Sequence, residues 1–190
     1  MKKFLLVLSV ILIIILGVLT YFRVDTKSFS PEDEVTFANG DLKIHVLYNR
    51  PFKKGRVIFD SQGLVPYGKV WRTGANEATI FETNKDLNFA DKTLKAGKYS
   101  FFTIPGEQTW SIIFNKETGQ LWGLGTMWGV GFNGEANRNP AKDAVVVDVP
   151  SVLQEKEFEQ FTISIEQAGE EMELILMWDK TLVSVPFTLK

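Results

Sequence analysis

The sequence contains no cysteine and a single histidine, His45, among its 190 residues. Without cysteine the chain has no disulfide, no thiolate metal ligand and no cysteine nucleophile. One imidazole cannot form a multi-histidine zinc site, although carboxylates remain available as ligands for calcium or magnesium. The sequence also has no HExxH motif, no phosphate-binding loop and no serine-nucleophile motif. We therefore predict no metal and no cofactor.

Positive charge is scarce after the first 23 residues. Residues 24–190 contain 18 lysine or arginine residues against 23 aspartate or glutamate residues, which is a formal charge of −5. Only four of these cations are arginines, and they are far apart in the sequence: Arg50, Arg56, Arg72 and Arg138. An acidic domain without a basic stripe is poorly suited to a phosphate backbone. The composition argues against nucleic acid as a partner.

The N-terminus has a long stretch without any charge. Residues 4–22 are almost entirely apolar, follow Lys2 and Lys3, and end just before Arg23. As a helix they would measure about 28 Å, close to the hydrocarbon thickness of a bilayer. The two lysines favour a cytoplasmic N-terminus, with the rest of the chain translocated. The main alternative is a signal peptide cleaved near Thr20, but no Ala-x-Ala-like site is present.

The remainder of the chain is predicted to form β-structure after a short connection. Residues 1–23 are interpreted as a membrane anchor whose residues 4–22 contact the lipid bilayer, residues 24–41 as a polar linker, and residues 42–190 as a β domain. Alternation of apolar and polar residues with a period of two recurs along the domain, as in Ile44, Val46 and Tyr48. Only residues 151–158 resemble a short helix. The pattern predicts an all-β fold, an antiparallel β-sandwich or open barrel behind a single transmembrane helix.

The most distinctive stretch, residues 65–79, reads VPYGKVWRTGANEAT. It places aromatic rings beside an arginine, an amide and a carboxylate, which are groups suited to binding sugars or carboxylates. The candidate ligand-binding residues are Tyr67, Trp71, Arg72, Asn76 and Glu77, together with Arg50, which is expected at the same end of the domain. The alternative is a buried polar network in which Arg72 pairs with Glu77.

Two further features invite functional interpretations that the sequence does not favour. His45 lies within an alternating strand pattern, where a lone histidine is more often structural than catalytic. Residues 129–134 match G-x-G-x-x-G literally, but no βαβ unit surrounds them, which argues against dinucleotide binding. The tryptophans in residues 121–128 either cover a pocket, contact lipid or glycan, or pack on the core.

Several of these segments together resemble a bacterial envelope family known as domain of unknown function 2911. The resemblance extends over residues 42–189, and its main signatures are YNRP (48–51), KGR (54–56), GLVPYGKVWRTGANEAT (63–79), LKAGKYSFFTIPG (94–106) and WSIIFNK (110–116). Asp143, residues 161–166 and residues 174–178 complete it. It implies an exported, β-rich protein and supplies no catalytic residue to carry over. An apparent anchor in place of a removed signal, and the glycine- and tryptophan-rich residues 119–134, depart from the family pattern.

Three functional hypotheses follow. The favoured one is a membrane-anchored extracytoplasmic domain that binds a ligand such as a glycan, or supports the envelope, without catalysis. The second is a carbohydrate-processing hydrolase that uses Glu77 with a second carboxylate, Asp143 or Asp60, across a cleft. The third is a structural module that contacts another envelope protein through residues 122–128.

Overall fold

The computed structural model describes residues 2–118, residue 136 and residues 138–190, and it begins with a long helix. Helix α1 spans Lys2–Phe29, 28 residues. Within it, Lys3–Tyr21 is long and apolar enough to cross a membrane, with a mean hydropathy of 2.9 and no burial against the domain. The expected N-terminal apolar helix is therefore confirmed. An uncleaved anchor and a signal sequence both fit a helix of this kind.

Eleven strands follow α1 in the described part of the chain, and a 3-10 helix at Pro140–Lys142 precedes the tenth. Their bounds are β1 Glu32–Asn39, β2 Leu42–Asn49, β3 Phe59–Asp60, β4 Val65–Pro66, β5 Thr79–Thr83, β6 Leu87–Phe89, β7 Lys92–Leu94, β8 Gly97–Ile104, β9 Thr109–Asn115, β10 Asp143–Ala168 and β11 Glu171–Leu189.

Nine of the strands form a single antiparallel sheet in the order β1-β2-β5-β8-β9-β10-β11-β6-β7, while β3 and β4 make a short parallel pair. The outer strands β1 and β7 do not pair with each other, so the sheet is not closed into a barrel. The predicted all-β antiparallel fold is confirmed. Strand β10 joins the two parts of the sheet, because its first residues pair with β9 and its last residues pair with β11. Register shifts on either side of Phe158 interrupt the second pairing, and such irregularities bend a strand.

Strand β2 shows why the alternating pattern predicts this fold. Leu42, Ile44, Val46 and Tyr48 are buried, whereas the side chains between them lie on the other face. That other face carries His45, whose Nε2 lies 3.0 Å from the Glu34 carboxylate on β1. Successive side chains of a strand point to opposite faces of the sheet. Because one face is buried in the core and the other stays in water, apolar and polar residues alternate along the sequence.

Residues 24–41, expected to be a linker, are instead the last turns of α1 and the whole of β1. Only Ser30 and Pro31 separate the two elements. Strand β1 pairs with β2 along its full length, and Val35 and Phe37 pack against the core. The acidic residues of β1 lie at a sheet edge exposed to water, where charge protects against edge-to-edge association. The end of α1 is therefore held directly against the domain.

Residues 151–158 also differ from expectation, because they belong to β10 and contain no helical turn. Ser151, Val152 and Leu153 pair with residues of β11. Leu153 is 80% exposed, so its side chain gains little from burial, and the cross-strand backbone hydrogen bonds decide the local structure.

Candidate functional site

Paired backbone groups fix residues 65–79 to strand β8. The Trp71 N–H donates to the Thr103 carbonyl at 2.7 Å, and the Thr103 N–H donates back to the Trp71 carbonyl at 2.9 Å. Gly68 has a φ of 73°, a left-handed value that glycine adopts without strain, and its N–H donates to the Pro105 carbonyl at 2.8 Å. Two separate anchor points thus set the path of the segment.

The turn after Trp71 is held by threonine hydroxyls and by close packing of a glycine. The Thr79 hydroxyl donates to the Thr73 carbonyl at 2.6 Å, and the Thr73 hydroxyl lies 3.2 Å from that of Thr103. Gly74 packs so closely that an added Cβ would lie 3.0 Å from the Asn49 carbonyl oxygen. The backbone of this turn is a fixed structure, because these hydroxyl bonds and the close packing of Gly74 hold it within the domain.

Trp71 is part of an aromatic cluster at the centre of the domain. Its ring stacks on Trp178 with centroids 5.8 Å apart and an interplanar angle of 20°, and it meets Phe59, Trp110 and Phe161 edge to face. Its Nε1–H donates to the Gly74 carbonyl at 2.9 Å. The indole therefore joins the core to the turn that follows it.

Two cavities adjoin at Trp71 and Arg72. The first has a volume of about 530 Å³ and lies beside the end of α1. The second, of about 560 Å³, lies beside Lys69 and Arg138. Both are within the size range of small-molecule sites. Four residues line both cavities: Leu64, Val65, Trp71 and Arg72. The first cavity is also lined by Phe29, Ser30, Lys54, Arg56, Ala75 and Trp178. The second is also lined by Lys69 and Arg138.

Arg72 is the most unusual residue of this region. Its Nε is buried without a hydrogen-bond partner. Across residues 2–118, 136 and 138–190, its guanidinium forms no side-chain hydrogen bond and no ion pair. Burial lowers the pKa of Arg72, whereas the carboxylate of Glu77 acts in the opposite direction. Glu77 therefore influences Arg72 through its charge, without a direct pair between the two side chains.

The other candidates of the segment have separate partners. Glu77 accepts a hydrogen bond from Asn49 Nδ2 at 3.1 Å, and Asn76 Nδ2 lies 3.4 Å from the Ser30 carbonyl, which ties the turn to the end of α1. Asn76 adopts a left-handed φ of 54°, which asparagine tolerates better than most residues. Tyr67 lies beyond the residues that line the two cavities, and burial, together with the charges of Glu107 and Asp60, raises its pKa.

Arg50 is bound entirely by protein groups. Its Nε donates to the Phe161 carbonyl at 3.0 Å, Nη1 to Asp33 at 2.9 Å and Nη2 to the Thr162 hydroxyl at 2.8 Å. The next residue, Pro51, lines the first cavity. Arg50 thus holds the strands around the site, and all three of its side-chain nitrogens are occupied.

The carboxylates named as partners of Glu77 in the hydrolase hypothesis are each engaged locally. Asp60 accepts hydrogen bonds from the Gln62 N–H and the Ser61 hydroxyl, and these bonds hold its pKa below the usual range. A carboxyl group with a lowered pKa is a poor general acid near neutral pH. Asp143 accepts hydrogen bonds from Arg138 and from Asn115 Nδ2. Among the described residues, no group of three histidine or acidic side chains is arranged to hold a metal ion.

Lys54 and Arg56 are lining residues that sequence reasoning missed. Both lie in the short basic run KKGR at residues 53–56, which is unusual in an acidic domain. This basic run is the feature of the sequence that could have indicated these two residues. Their position beside Arg72 follows only from the fold. The tryptophan-rich residues 121–128, the G-x-G-x-x-G match at 129–134 and the contact surface suggested for residues 122–128 lie outside the described residues.

Comparison with known proteins gives a family without an assigned activity. No curated protein and no solved structure matches the chain. The family described as "Protein of unknown function (DUF2911)" matches over residues 30–187, which is most of the chain and includes β1 through most of β11. The resemblance seen in the sequence is confirmed, and the chain belongs to this family.

Proposed function

We propose that this protein is a membrane-tethered binding protein of the cell envelope. In this proposal α1 stays in the cytoplasmic membrane and the β domain lies on the outer side. The first cavity, beside Trp71, Arg72 and the end of α1, binds a ligand without catalysis.

The observation that carries the proposal is the position of Arg72 on the cavity wall without a hydrogen-bond partner among the described residues. The backbone of this turn is held by hydrogen bonds within the domain, yet the guanidinium of Arg72 lines two cavities, its Nε is buried, and it has no hydrogen-bond partner among the described residues. A buried N–H donor without a partner costs free energy, and proteins retain such groups mostly at functional sites. The fixed backbone around Trp71 provides the rigid support that a binding site needs.

The absence of a catalytic arrangement supports binding over hydrolysis. The charged residues that line the first cavity, Lys54, Arg56 and Arg72, include no carboxylate and no imidazole, the groups that most often act as general acids and bases. No carboxylate lines either cavity in the part of the chain that the structure describes. A glycosidase requires two carboxyl groups facing each other across the cleft.

The tether predicts a specific topology for the full chain. Alkaline phosphatase fused after Lys190 should be active in cells, because Lys2 and Lys3 favour a cytoplasmic N-terminus. An epitope placed before Lys2 should remain on the same polypeptide as the phosphatase and stay in the membrane after a carbonate wash. Inactive phosphatase would contradict the outer location of the domain. Loss of the epitope from the membrane-bound chain would show that α1 is a cleaved signal.

Filling the cavity should abolish ligand binding. The full chain in lipid nanodiscs would be incubated with a small-molecule extract of the envelope, and bound species identified by mass spectrometry. We expect at least one species to be enriched on the wild-type protein and absent from Ala75→Phe, because the added ring occupies the first cavity. Ala96→Phe is the control, since Ala96 is exposed on the surface and lines neither cavity. No enriched species, or equal enrichment on Ala75→Phe, would contradict binding in this cavity.

A further inference from the structure

We propose that the first cavity binds a ligand with an apolar portion and one oxyanion group, either a phosphate or a carboxylate. Arg72 is the group that recognises the oxyanion. This inference rests on the proposed binding function and specifies the chemical class of the ligand.

The charge around the cavities is opposite to that of the domain. Residues 24–190 carry a formal charge of −5. The charged side chains that line the two cavities within the described residues are nonetheless all cations, namely Lys54, Arg56, Lys69, Arg72 and Arg138. Of these, Arg138 is paired with Asp143, which leaves four cations without an ion pair to a described residue. A concave surface of one sign concentrates ligands of the opposite sign.

Arg72 has the properties expected of the recognising group. A guanidinium presents five N–H donors in a planar fork that matches the two oxygens of a carboxylate or a phosphate. At Arg72 none of these donors is used by a described side chain or backbone group, and Nε is fully buried. Arg72 as a whole is only partly buried, and its Nη groups are not among the buried atoms without a partner. These donors are therefore open to an anion that enters the cavity.

Lys54 and Arg56 add positive charge to the wall of the first cavity. Arg56 donates to the backbone carbonyls of Phe52 and Lys53, which orients its guanidinium and leaves its charge unneutralised. The Lys54 ammonium lies 4.6 Å from the centre of the Phe29 ring, a cation–π contact that holds it near the end of α1. Both groups are therefore positioned to attract an anion towards Arg72.

The rest of the lining predicts an apolar portion of the ligand. Trp71 and Trp178 are buried tryptophans, and Leu64 and Val65 extend the apolar surface beside them. An inorganic ion alone would leave this surface in contact with water. A ligand with one anionic group and a hydrocarbon or ring portion would cover both parts of the cavity.

The cavity lies close to the membrane if α1 crosses it. Phe29 is eight residues beyond Tyr21, the end of the apolar span, which is about 12 Å along a helix. An anionic lipid headgroup and a soluble anionic amphiphile share the required chemistry, so the experiment must tell them apart.

Hexyl phosphate tests the anion site directly, with hexyl glucoside as a neutral ligand of equal chain length. Calorimetric titration of the full chain in phosphatidylcholine nanodiscs should show hexyl phosphate binding at least about 10-fold more tightly than hexyl glucoside. Arg72→Met should weaken hexyl phosphate binding by about 10-fold or more, and Arg72→Lys by less. Lys98→Met removes one positive charge from an exposed site outside the cavities and should leave the affinity within about twofold. Equal binding of both ligands, or unchanged affinity in Arg72→Met, would overturn the inference.

The thermal stability of the ligand-free protein gives an independent readout. Arg72→Met removes a partly buried guanidinium whose Nε has no partner, so its melting temperature should equal or exceed that of the wild type. Hexyl phosphate should raise the melting temperature of the wild type and not that of the variant. A lower melting temperature in Arg72→Met would indicate a structural role for Arg72 and contradict the assignment.

Native mass spectrometry identifies the source of the anion and separates the two proposals. After release from a mixed phosphatidylcholine and phosphatidylglycerol bilayer, phosphatidylglycerol retained on the wild type and lost from Arg72→Met supports a lipid headgroup. Retention of added hexyl phosphate alone supports a soluble anion. If Ala75→Phe blocks a neutral envelope ligand while no anion binds, the anion inference fails and the proposed binding function stands.

Discussion

Replacing Trp71 with alanine is expected to lower the free energy of unfolding by about 3–5 kcal/mol, the usual range for removing a large aromatic side chain from a core. The indole is 7% exposed, and its loss leaves a void against Trp178, Phe59 and Phe161. Urea unfolding in mild detergent, followed by tryptophan fluorescence, measures the change. A loss below about 1 kcal/mol would show that the ring contributes little to the core.

A pair of phenylalanine variants separates the hydrogen bond of Trp71 from its packing. Trp71→Phe and Trp178→Phe remove the same chemical groups from two stacked rings of one cluster. Only Trp71 donates its Nε1–H, to Gly74, because Trp178 Nε1 is buried without a partner in the described part of the chain. Trp71→Phe should therefore cost at least about 1 kcal/mol more than Trp178→Phe. Equal costs would mean that the bond to Gly74 contributes nothing net.

The elements that sequence predicts well are those whose signal is local. The alternation of Ile44, Val46 and Tyr48 specifies which face of β2 is buried. The apolar runs on either side of Pro105 and Gly106 are typical of two paired strands, and they form the hairpin of β8 and β9. In both cases the residues that carry the pattern also make the contacts, so composition and period are sufficient.

The elements that sequence predicts poorly depend on distant partners. The acidic start of β1 has the composition of a linker, but Val35 and Phe37 pack against the core. Residues 151–158 have the pattern of a short helix, but they pair with β11. Arg72 and Glu77 are five residues apart and suggest a pair, yet Glu77 bonds to Asn49 on β2 instead. Local spacing cannot reveal such choices, because long-range strand pairing decides which polar groups meet.

Only part of the cavity lining can be predicted from the sequence, for the same reason. The residues of 65–79 are contiguous, so the sequence singles them out, and the structure places Trp71 and Arg72 on the cavity wall. Lys54, Arg56 and Trp178 come from other parts of the chain and reach the cavity only through the fold. That Arg72 has no hydrogen-bond partner among the described residues can be recognised only from the three-dimensional structure, which gives the positions of its potential partners.

Arg50→Met is expected to lower the free energy of unfolding by about 2–4 kcal/mol. The change keeps an apolar stem but removes three hydrogen bonds, and it leaves the Phe161 carbonyl without its side-chain donor. Arg56→Met is the matched control, because Arg56 is exposed and, among the described residues, its side chain bonds only to carbonyls within four residues. Its cost should stay below about 1 kcal/mol. Similar costs for the two variants would contradict a structural role for Arg50.

A double-mutant cycle with Asp33→Asn shows where the stability from Arg50 arises. Asp33 is 43% exposed on its side chain, so solvent screens its pairing with Arg50, and their coupling should be only about 0.2–1 kcal/mol. Most of the loss in Arg50→Met must then come from the bonds to β10 at Phe161 and Thr162. Together with the Asp33 pair, these bonds tie the end of β2 and the start of β1 to β10, whereas the backbone bond from the residue 50 N–H to the Pro31 carbonyl remains in the variant. Hydrogen exchange should accordingly become faster in β1 of Arg50→Met than in β8. If exchange in β1 were unchanged, the end of α1 would be held by other contacts, and the cavity wall at Ser30 would not depend on Arg50.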